Sequence, residues 1–266
     1  MVATHGPGTA GEIACQAIRN GSELIVAAGG DGTLNEVIQG MAHSHIPLGI
    51  LPAGTANVLA TEIGLGRGLN RTAKIIPNCV TRRIALGRLN CGQEHRYFLS
   101  MAGAGFDAQI VYDLGSGLKD RLGKAAYWIA GFAHALKRFP EFEIEIDGEA
   151  RGTASFALAS RVRNYGGDFE IARHASLAAE DLEVVLFRGR TALPYFKYLC
   201  GLVTGRLEGM GGVSFQTGLE VRVFDPADRR IHIQVDGEYA GRLPASIVLV
   251  PNALTLLVPP EYARSE

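Results

Sequence analysis

Long hydrophobic runs are missing. No stretch of 18 or more apolar residues occurs in the 266-residue chain, so no segment is expected to span a membrane. A charge surplus is missing too. Lys and Arg number 26 against 27 Asp and Glu, a formal net charge of -1 that gives no support to a general nucleic-acid binder. Cysteine is scarce: Cys15, Cys79, Cys91 and Cys200 stand far apart, with no CxxC pair and no zinc spacing, as reduced cytosolic thiols would. Met1 to Ala10 has neither a basic n-region nor an apolar h-region, so no secretory signal is expected there. There is no internal repeat and no low-complexity tail. His43, His45, His134 and His174 share no spacing and suggest no metal set. What is present is core material: 47% of the residues are hydrophobic and 20% charged, enough for one large domain or two small ones.

The first ~80 residues alternate strand and helix patterns, which predicts parallel α/β units. Ile13, Ala14, Ala17 and Ile18 share one face of a helix over Thr9–Arg19. Leu24–Ala28 is wholly apolar, the pattern of a strand buried on both faces. Leu34, Val37, Ile38 and Met41 then follow i, i+3, i+4, i+7 spacing. Ile46–Leu51 reads as the next strand, stopped by Pro52 and Gly54, and Thr55–Glu62 and Arg71–Ile76 read as helices. After about Arg82 strands dominate: Arg82–Leu89, Tyr97–Ala102, Phe142–Asp147, Thr153–Ser160, Leu182–Phe187, Leu219–Phe224, Ile231–Asp236, Ser246–Val250 and Leu254–Val258. Phe142, Ile144 and Ile146 alternate with Glu143, Glu145 and Asp147, which predicts a half-buried antiparallel sheet. Helical patterns interrupt at Asp120–Arg138 and Thr191–Val203. The expected fold is α/β plus β: a Rossmann-like α/β domain over residues 1–81, then an antiparallel β-sandwich domain over residues 82–266.

Two glycine loops carry the chemistry. In "VAAGGDGTLNEVIQGM" a strand ends at Gly29-Gly30 and a helix begins. Glycines let backbone N–H groups approach a ligand, and the helix N-terminus favours phosphate. Asp31 would repel bare phosphate, but it suits Mg²⁺ bound to a nucleoside polyphosphate, or an attacking hydroxyl that needs orienting. The alternative is a plain strand–turn–helix, with Asp31-Gly32 as turn residues and Thr33 as the helix N-cap. "LPAGTANVLA" repeats the architecture with Gly54, Thr55 and Asn57, whose amide can bond a phosphate or the neighbouring loop. Consecutive parallel strands would open both loops onto the same sheet edge. Two Asp-Gly-Glu triplets, Asp147–Glu149 and Asp236–Glu238, lie between strands, and each reads first as a hairpin turn.

"GGDGTLNEVIQG" followed by "GILPAGTANVLA" resembles the diacylglycerol kinase catalytic-domain family, which includes bacterial lipid kinases and sphingosine kinases. The similarity continues through "LSMAGAGFDAQIV", "YGGDFEIARHASL" and "IQVDGEYAG", in order along nearly the whole chain. The resemblance implies an α/β nucleotide domain, a β-sandwich, and a site in the cleft between them. It implies an ATP- and Mg²⁺-dependent kinase acting on a lipid hydroxyl. Its nucleotide loop falls on Gly29, Gly30, Asp31, Gly32, Thr33, Leu34 and Asn35, and its second loop on Gly54, Thr55 and Asn57. An upstream nucleotide-binding threonine falls on Thr4, and the general base on Glu238. Asp107 and Asp236 fall in a charged network at the cleft, and Asp31 would meet the metal through Mg-ATP. By family position Asp147–Glu149 is only a turn.

Two departures matter. The family begins with a strand carrying Asn-Pro, whereas this chain begins almost at the threonine motif, so it reads as a member shortened by about one βαβ unit, ~30 residues. Many members also place Asp-Asp-Gly before Leu-Asp-Val, the aspartate holding a structural Mg²⁺. Here that position is Ala179, followed by Glu180 and Asp181, and no structural metal is expected. The expected partners are a lipid substrate and a membrane surface met peripherally from the cytoplasm, with no nucleic acid and with a homodimer left open. Gly117–Phe139, basic at both ends around Tyr127, Trp128, Ile129 and Phe132, suits an anionic bilayer, but the plainer reading is a domain-packing helix with solvated ends. Rival readings are an NAD kinase-like enzyme, which the Gly-Thr-Ala-Asn loop and the Asp-Gly-Glu triplet argue against, and an inactive lipid- or nucleotide-binding homologue.

Overall fold

The computed structural model describes residues 1–66, 68–112, 138–166 and 169–265. Its first part runs α1 (Ala10–Arg19), β1 (Ile25–Gly29), α2 (Asp31–Met41), β2 (Leu48–Pro52), α3 (Val58–Glu62) and α4 (Leu69–Ile75), then a 3-10 turn at Ile76–Asn78. β1 and β2 pair in parallel, from Ile25↔Leu48 to Gly29↔Pro52. Leu34, Val37, Ile38 and Met41 are all buried, as their spacing predicts. Helices α1 and α2 cross closely because Gly40 has no side chain: a Cβ there would stand 2.0 Å from the Gly11 carbonyl oxygen.

The remainder is mostly sheet: β3 (Val80–Cys91), β4 (Glu94–Phe98), β5 (Met101–Gly105), α5 (described over residues 106–112), β6 (Phe142–Ile146), β7 (Glu149–Ala154) and β8 (Phe156–Ser160). There follow β9 (Asn164–Tyr165), β10 (Phe169–Glu170), β11 (Leu182–Phe187), α6 (Ala192–Val203), β12 (Val213–Gly218), β13 (Glu220–Phe224), β14 (His232–Val235), β15 (Glu238–Arg242), β16 (Ala245–Val258) and α7 (Pro260–Ser265). One sheet has eight strands, in the order β1-β2-β16-β13-β6-β7, with β3 paired to β16 and β4 to β3. The other runs β12-β11-β8-β5-β14-β15. They enclose a core of Leu89, Phe98, Phe142, Ile144, Val184, Leu186, Val223 and Ile233, among others. The expected class holds: a mixed α/β part followed by an antiparallel sandwich. The two parts share a sheet, since β16 pairs with β3 and β13 and also meets β2 at Leu256↔Leu48.

Several local expectations are corrected. β1 is not buried on both faces. It pairs only with β2 among the described residues, and Val26 is 41% exposed while Ala27, on the opposite face, packs into the core. Tyr97–Ala102 is not one strand. The chain leaves one sheet at Phe98, bends at Leu99-Ser100 and enters the other at Met101. Thr153–Ser160 breaks in the same way at Ser155, whose hydroxyl donates to the carbonyl of Gly189 (2.7 Å). Ser246–Val250 and Leu254–Val258 are one long strand with an irregularity between Val250 and Leu254. The half-buried pattern fits β6 but not β11, all six of whose residues are buried: Val184 and Leu186 face the sandwich core, Val185 and Phe187 the α6 side. The helix expected over Thr55–Glu62 starts only at Val58, because Asn57 is left-handed (φ 48, ψ 52). Asp120–Arg138, and the bilayer-facing reading of Gly117–Phe139, lie outside the described residues apart from Arg138 and Phe139.

Candidate active site

The two glycine loops meet. β1 and β2 are adjacent and parallel, so their C-terminal ends bring Gly30 and Gly54 together; a Cβ on Gly54 would lie 2.6 Å from the Gly30 Cα. Thr33 folds back over Gly29, where a Cβ would strike its side chain at 2.6 Å. α2 begins at Asp31 with Gly30 as its N-cap and no side-chain cap, so Thr33 is not the cap that the turn reading requires. Eleven residues of helix therefore point their N-terminal N–H groups into the loop, the arrangement that favours anions. Asp31 Oδ1 accepts a hydrogen bond from the Val58 N–H (2.8 Å), tying the start of α2 to the start of α3. Glu62, at the far end of α3, is buried and accepts from the N–H (2.9 Å) and Nε (3.0 Å) of Arg163, so the second loop is anchored to the sandwich.

Asp236-Gly237 forms the two-residue turn of the β14–β15 hairpin, with positive φ at both positions (47 and 79), as Asp147-Gly148 does (51 and 81) between β6 and β7. Backbone shape alone does not separate the triplets; surroundings do. Asp236 accepts from the backbone N–H groups of Leu99 (3.0 Å), Ser100 (2.9 Å) and Met101 (3.0 Å) and from the Asn35 amide (2.8 Å). Burial pushes its carboxyl above the usual range, against the pull of these bonds. Asp147, among the described residues, accepts only exposed bonds, from the N–H groups of Leu219 and Glu220. Glu238 reaches the first glycine loop: a Cβ on Gly32 would lie 2.5 Å from its Oε1. Arg96 completes this group. It ion-pairs with Glu238 through Nη2, and its Nε donates to Asn35 Oδ1 (2.7 Å).

The structure brings Gly29, Gly30, Asp31, Gly32, Thr33, Gly54, Asp236 and Glu238 together, but it gives other expected residues different places. Asn35 is fully buried and serves as a bridge among Asp236, Arg96 and the Tyr97 carbonyl. Leu34 is a core residue, 3% exposed. The Asn57 amide is spent inside its own loop, donating to Gly54 O (2.6 Å) and accepting from Gly54 N–H (2.9 Å). Thr55 is exposed on the second loop, and Thr4 lies in exposed chain before α1. Asp107 is 2% exposed; it accepts from the Tyr165 hydroxyl and from Gln234 Nε2 (2.7 Å). Gln234 Oε1 accepts from the Gly237 N–H (2.7 Å), so Asp107 is wired to the turn that carries Glu238. Gly103 leaves the room, since a Cβ there would come within 2.6 Å of Asp107 Oδ2. The sequence reading missed Arg96, Gln234 and Tyr165. Gln234 was within reach of it, because it stands on the strand immediately before the Asp236–Glu238 triplet.

Two family models match the chain: the diacylglycerol kinase catalytic domain over residues 1–89 and the YegS C-terminal NAD kinase beta sandwich-like domain over residues 100–258. The diacylglycerol kinase of Bacillus subtilis is 30% identical over 267 residues, covering 98% of this chain and 86% of that protein. The diacylglycerol kinase of Mycobacterium tuberculosis is 30% identical over 248 residues, covering 91% and 79%. This chain belongs to the diacylglycerol kinase family. A solved structure described as a diacylglycerol kinase of Bacillus anthracis shares the fold, with a TM-score of 0.77 at 21% identity over 98% of this chain and 85% of that one. No helix among the described residues is long and apolar enough to cross a membrane.

In this diacylglycerol kinase family member, a second feature adjoins the group around Asp236 and Glu238. A cavity of about 410 Å³ lies between β8, β11 and α6, with Phe106, Phe156, Phe187, Tyr195 and Leu199 among its walls. Asp107 and Tyr165 are the polar residues at its edge that belong to the network above. Burial pushes the Tyr165 phenol well above its ordinary range, so it stays a hydrogen-bond donor to Asp107 at any working pH.

Proposed function

We propose that this protein transfers the γ-phosphate of ATP to the hydroxyl of a lipid, diacylglycerol or a related acceptor. The observation that carries the reading is the contact of Glu238 with Gly32: a carboxylate from the sandwich touches the glycine loop of the α/β part. The glycine loop and the α2 N-terminus hold the polyphosphate, with Gly29, Gly30 and Gly54 allowing close backbone approach. Glu238 takes the proton from the acceptor hydroxyl as that oxygen attacks phosphorus. Arg96 holds Glu238 in place, and the Asp236–Asn35 bridge fixes the hairpin against α2. Asp31 supplies a carboxylate at a phosphate loop, which fits Mg²⁺ carried on ATP, since that ion needs only one or two carboxylates beside phosphate oxygens. When bound, the ion would neutralise charge on the β- and γ-phosphates.

The cavity supports a lipid over a nicotinamide dinucleotide as acceptor. Its lining is almost wholly apolar, and its polar edge at Asp107 leads through Gln234 to Gly237, next to Glu238. An acyl chain in the cavity would leave the headgroup beside Asp107 and the hydroxyl toward the base. The protein would meet its substrate at a membrane surface. The test is transfer of radiolabelled γ-phosphate from ATP to a panel of lipids in mixed micelles, with Glu238→Gln beside the wild type. Labelled lipid with the wild type and none with the variant is the expected result. No labelled lipid from any acceptor would sink the reading, and equal labelling by the variant would remove Glu238 from its role.

A further inference from the structure

The loop between β10 and β11 holds a cation of its own. Arg161 follows β8 directly and is completely buried. Its guanidinium donates to three carbonyl oxygens of one short segment: Leu177 O (2.6 Å), Ala179 O (2.8 Å) and Asp181 O (2.8 Å). Carbonyls converging from alternate residues of a loop are what a hard cation draws to itself. Here the convergence is on a group that carries its positive charge at every working pH and offers donors in a rigid planar fork.

The family resemblance implies a divalent cation at this loop, held by an aspartate at the position of Ala179. The residues present do not fit it. Ala179 supplies a methyl group where the ligand would be, and the carbonyls of residues 177, 179 and 181 are already turned onto the guanidinium. A divalent ion brought to the same oxygens would sit against a fixed buried positive charge.

We propose that the Arg161 guanidinium is the resident cation of the 177–181 loop, so that the loop keeps its shape without any divalent metal. The arrangement connects to the catalytic group. The Arg161 N–H donates to Ser100 O (2.8 Å), and the Ser100 N–H donates to Asp236 Oδ1 (2.9 Å). The charge that organises the loop therefore also backs the bend that holds Asp236. Divalent metal is then needed only with the nucleotide, and chelation leaves the empty protein intact.

Thermal melting and amide hydrogen exchange of the full chain without nucleotide test this independently of any kinase activity. In the wild type, the melting temperature and the exchange of amides 176–183 should be the same in EDTA and in millimolar Mg²⁺ or Ca²⁺. A saturable rise in melting temperature on adding either ion to the empty wild type would overturn the proposal, and this arm needs no variant to fold. Arg161→Met keeps most of the side-chain volume and removes the charge; it should melt at a lower temperature, with faster exchange in the loop. Melting and exchange like those of the wild type would overturn it. Should Arg161→Met fail to fold, Arg161→Lys, with charge but no planar fork, should show faster exchange at 176–183 than the wild type; unchanged exchange would overturn it.

Discussion

Gly32 shows how a single missing side chain sets the site. It lies in the first turn of a helix, where alanine is the better residue by about 0.5–1 kcal/mol, and its backbone is not among those with positive φ. Local energetics thus favour Gly32→Ala, but the Cβ would lie 2.5 Å from Glu238 Oε1. The variant is expected to melt within a few degrees of the wild type and to lose roughly 100-fold in kcat, the scale of a misplaced catalytic group; steady-state kinetics beside a melting curve would check it. Asp236 makes the opposite case. Asp236→Asn turns an amide toward three backbone N–H donors, leaving at least one without an acceptor, and should cost about 1–3 kcal/mol by denaturant titration. The glycines and carboxylates were legible in the sequence because glycine loops and Asp-Gly turns are local. Arg96 was not, since nothing near Glu94–Phe98 says that its guanidinium will span Asn35 and Glu238 from two other elements.

At the scale of elements, what the sequence hid is mostly which sheet a strand joins. Tyr97–Ala102 and Thr153–Ser160 read as continuous because apolar β-formers run through both. The breaks at Leu99-Ser100 and Ser155 are made by distant partners, Asp236 in one case and Gly189 in the other. β12 and β15 were missed because each is short: Val213 and Phe215 are the only apolar alternation in Val213–Gly218, and Glu238–Arg242 has no run of β-formers. Helices were more legible, since their apolar stripes face one neighbour. The α1–α2 crossing depends on a glycine that propensity alone would replace. Gly40→Ala should destabilise by about 1–3 kcal/mol, because a Cβ 2.0 Å from the Gly11 carbonyl forces the helices apart. Chemical denaturation would show it as a lowered midpoint at unchanged slope. The near neighbours of Gly40 are Gly11 and Cys15 rather than Gly32 or Glu238, so turnover measured well below that midpoint should hold, in contrast to Gly32→Ala.

For the whole molecule, the shared sheet and the cavity explain how a phosphate site and a lipid site could be held in register. β16 joins the sandwich to β2, and the hairpin carrying Glu238, which belongs to the other sheet, is tied to α2 and to the bend after β4 through Asp236, so the glycine loops and the hairpin are parts of one hydrogen-bonded frame. The cavity lies on the far face of the second sheet, against α6, and reaches that frame through Asp107 and Gln234. If an acyl chain occupies it, filling it should discriminate by chain length rather than by nucleotide. Leu199 lines the cavity from the middle of α6 and is far in sequence from Asp31 and Glu238. Leu199→Trp is expected to cut turnover of a long-chain acceptor by about 10-fold or more, the scale of one to three kcal/mol of apolar fit. A short-chain acceptor with the same headgroup should lose much less, and the KM for ATP should not move. Parallel assays with dipalmitoyl and dioctanoyl acceptors would decide it. An equal loss with both would place the acyl chain elsewhere, while leaving the Glu238–Gly32 contact, and the phosphoryl transfer argued from it, untouched.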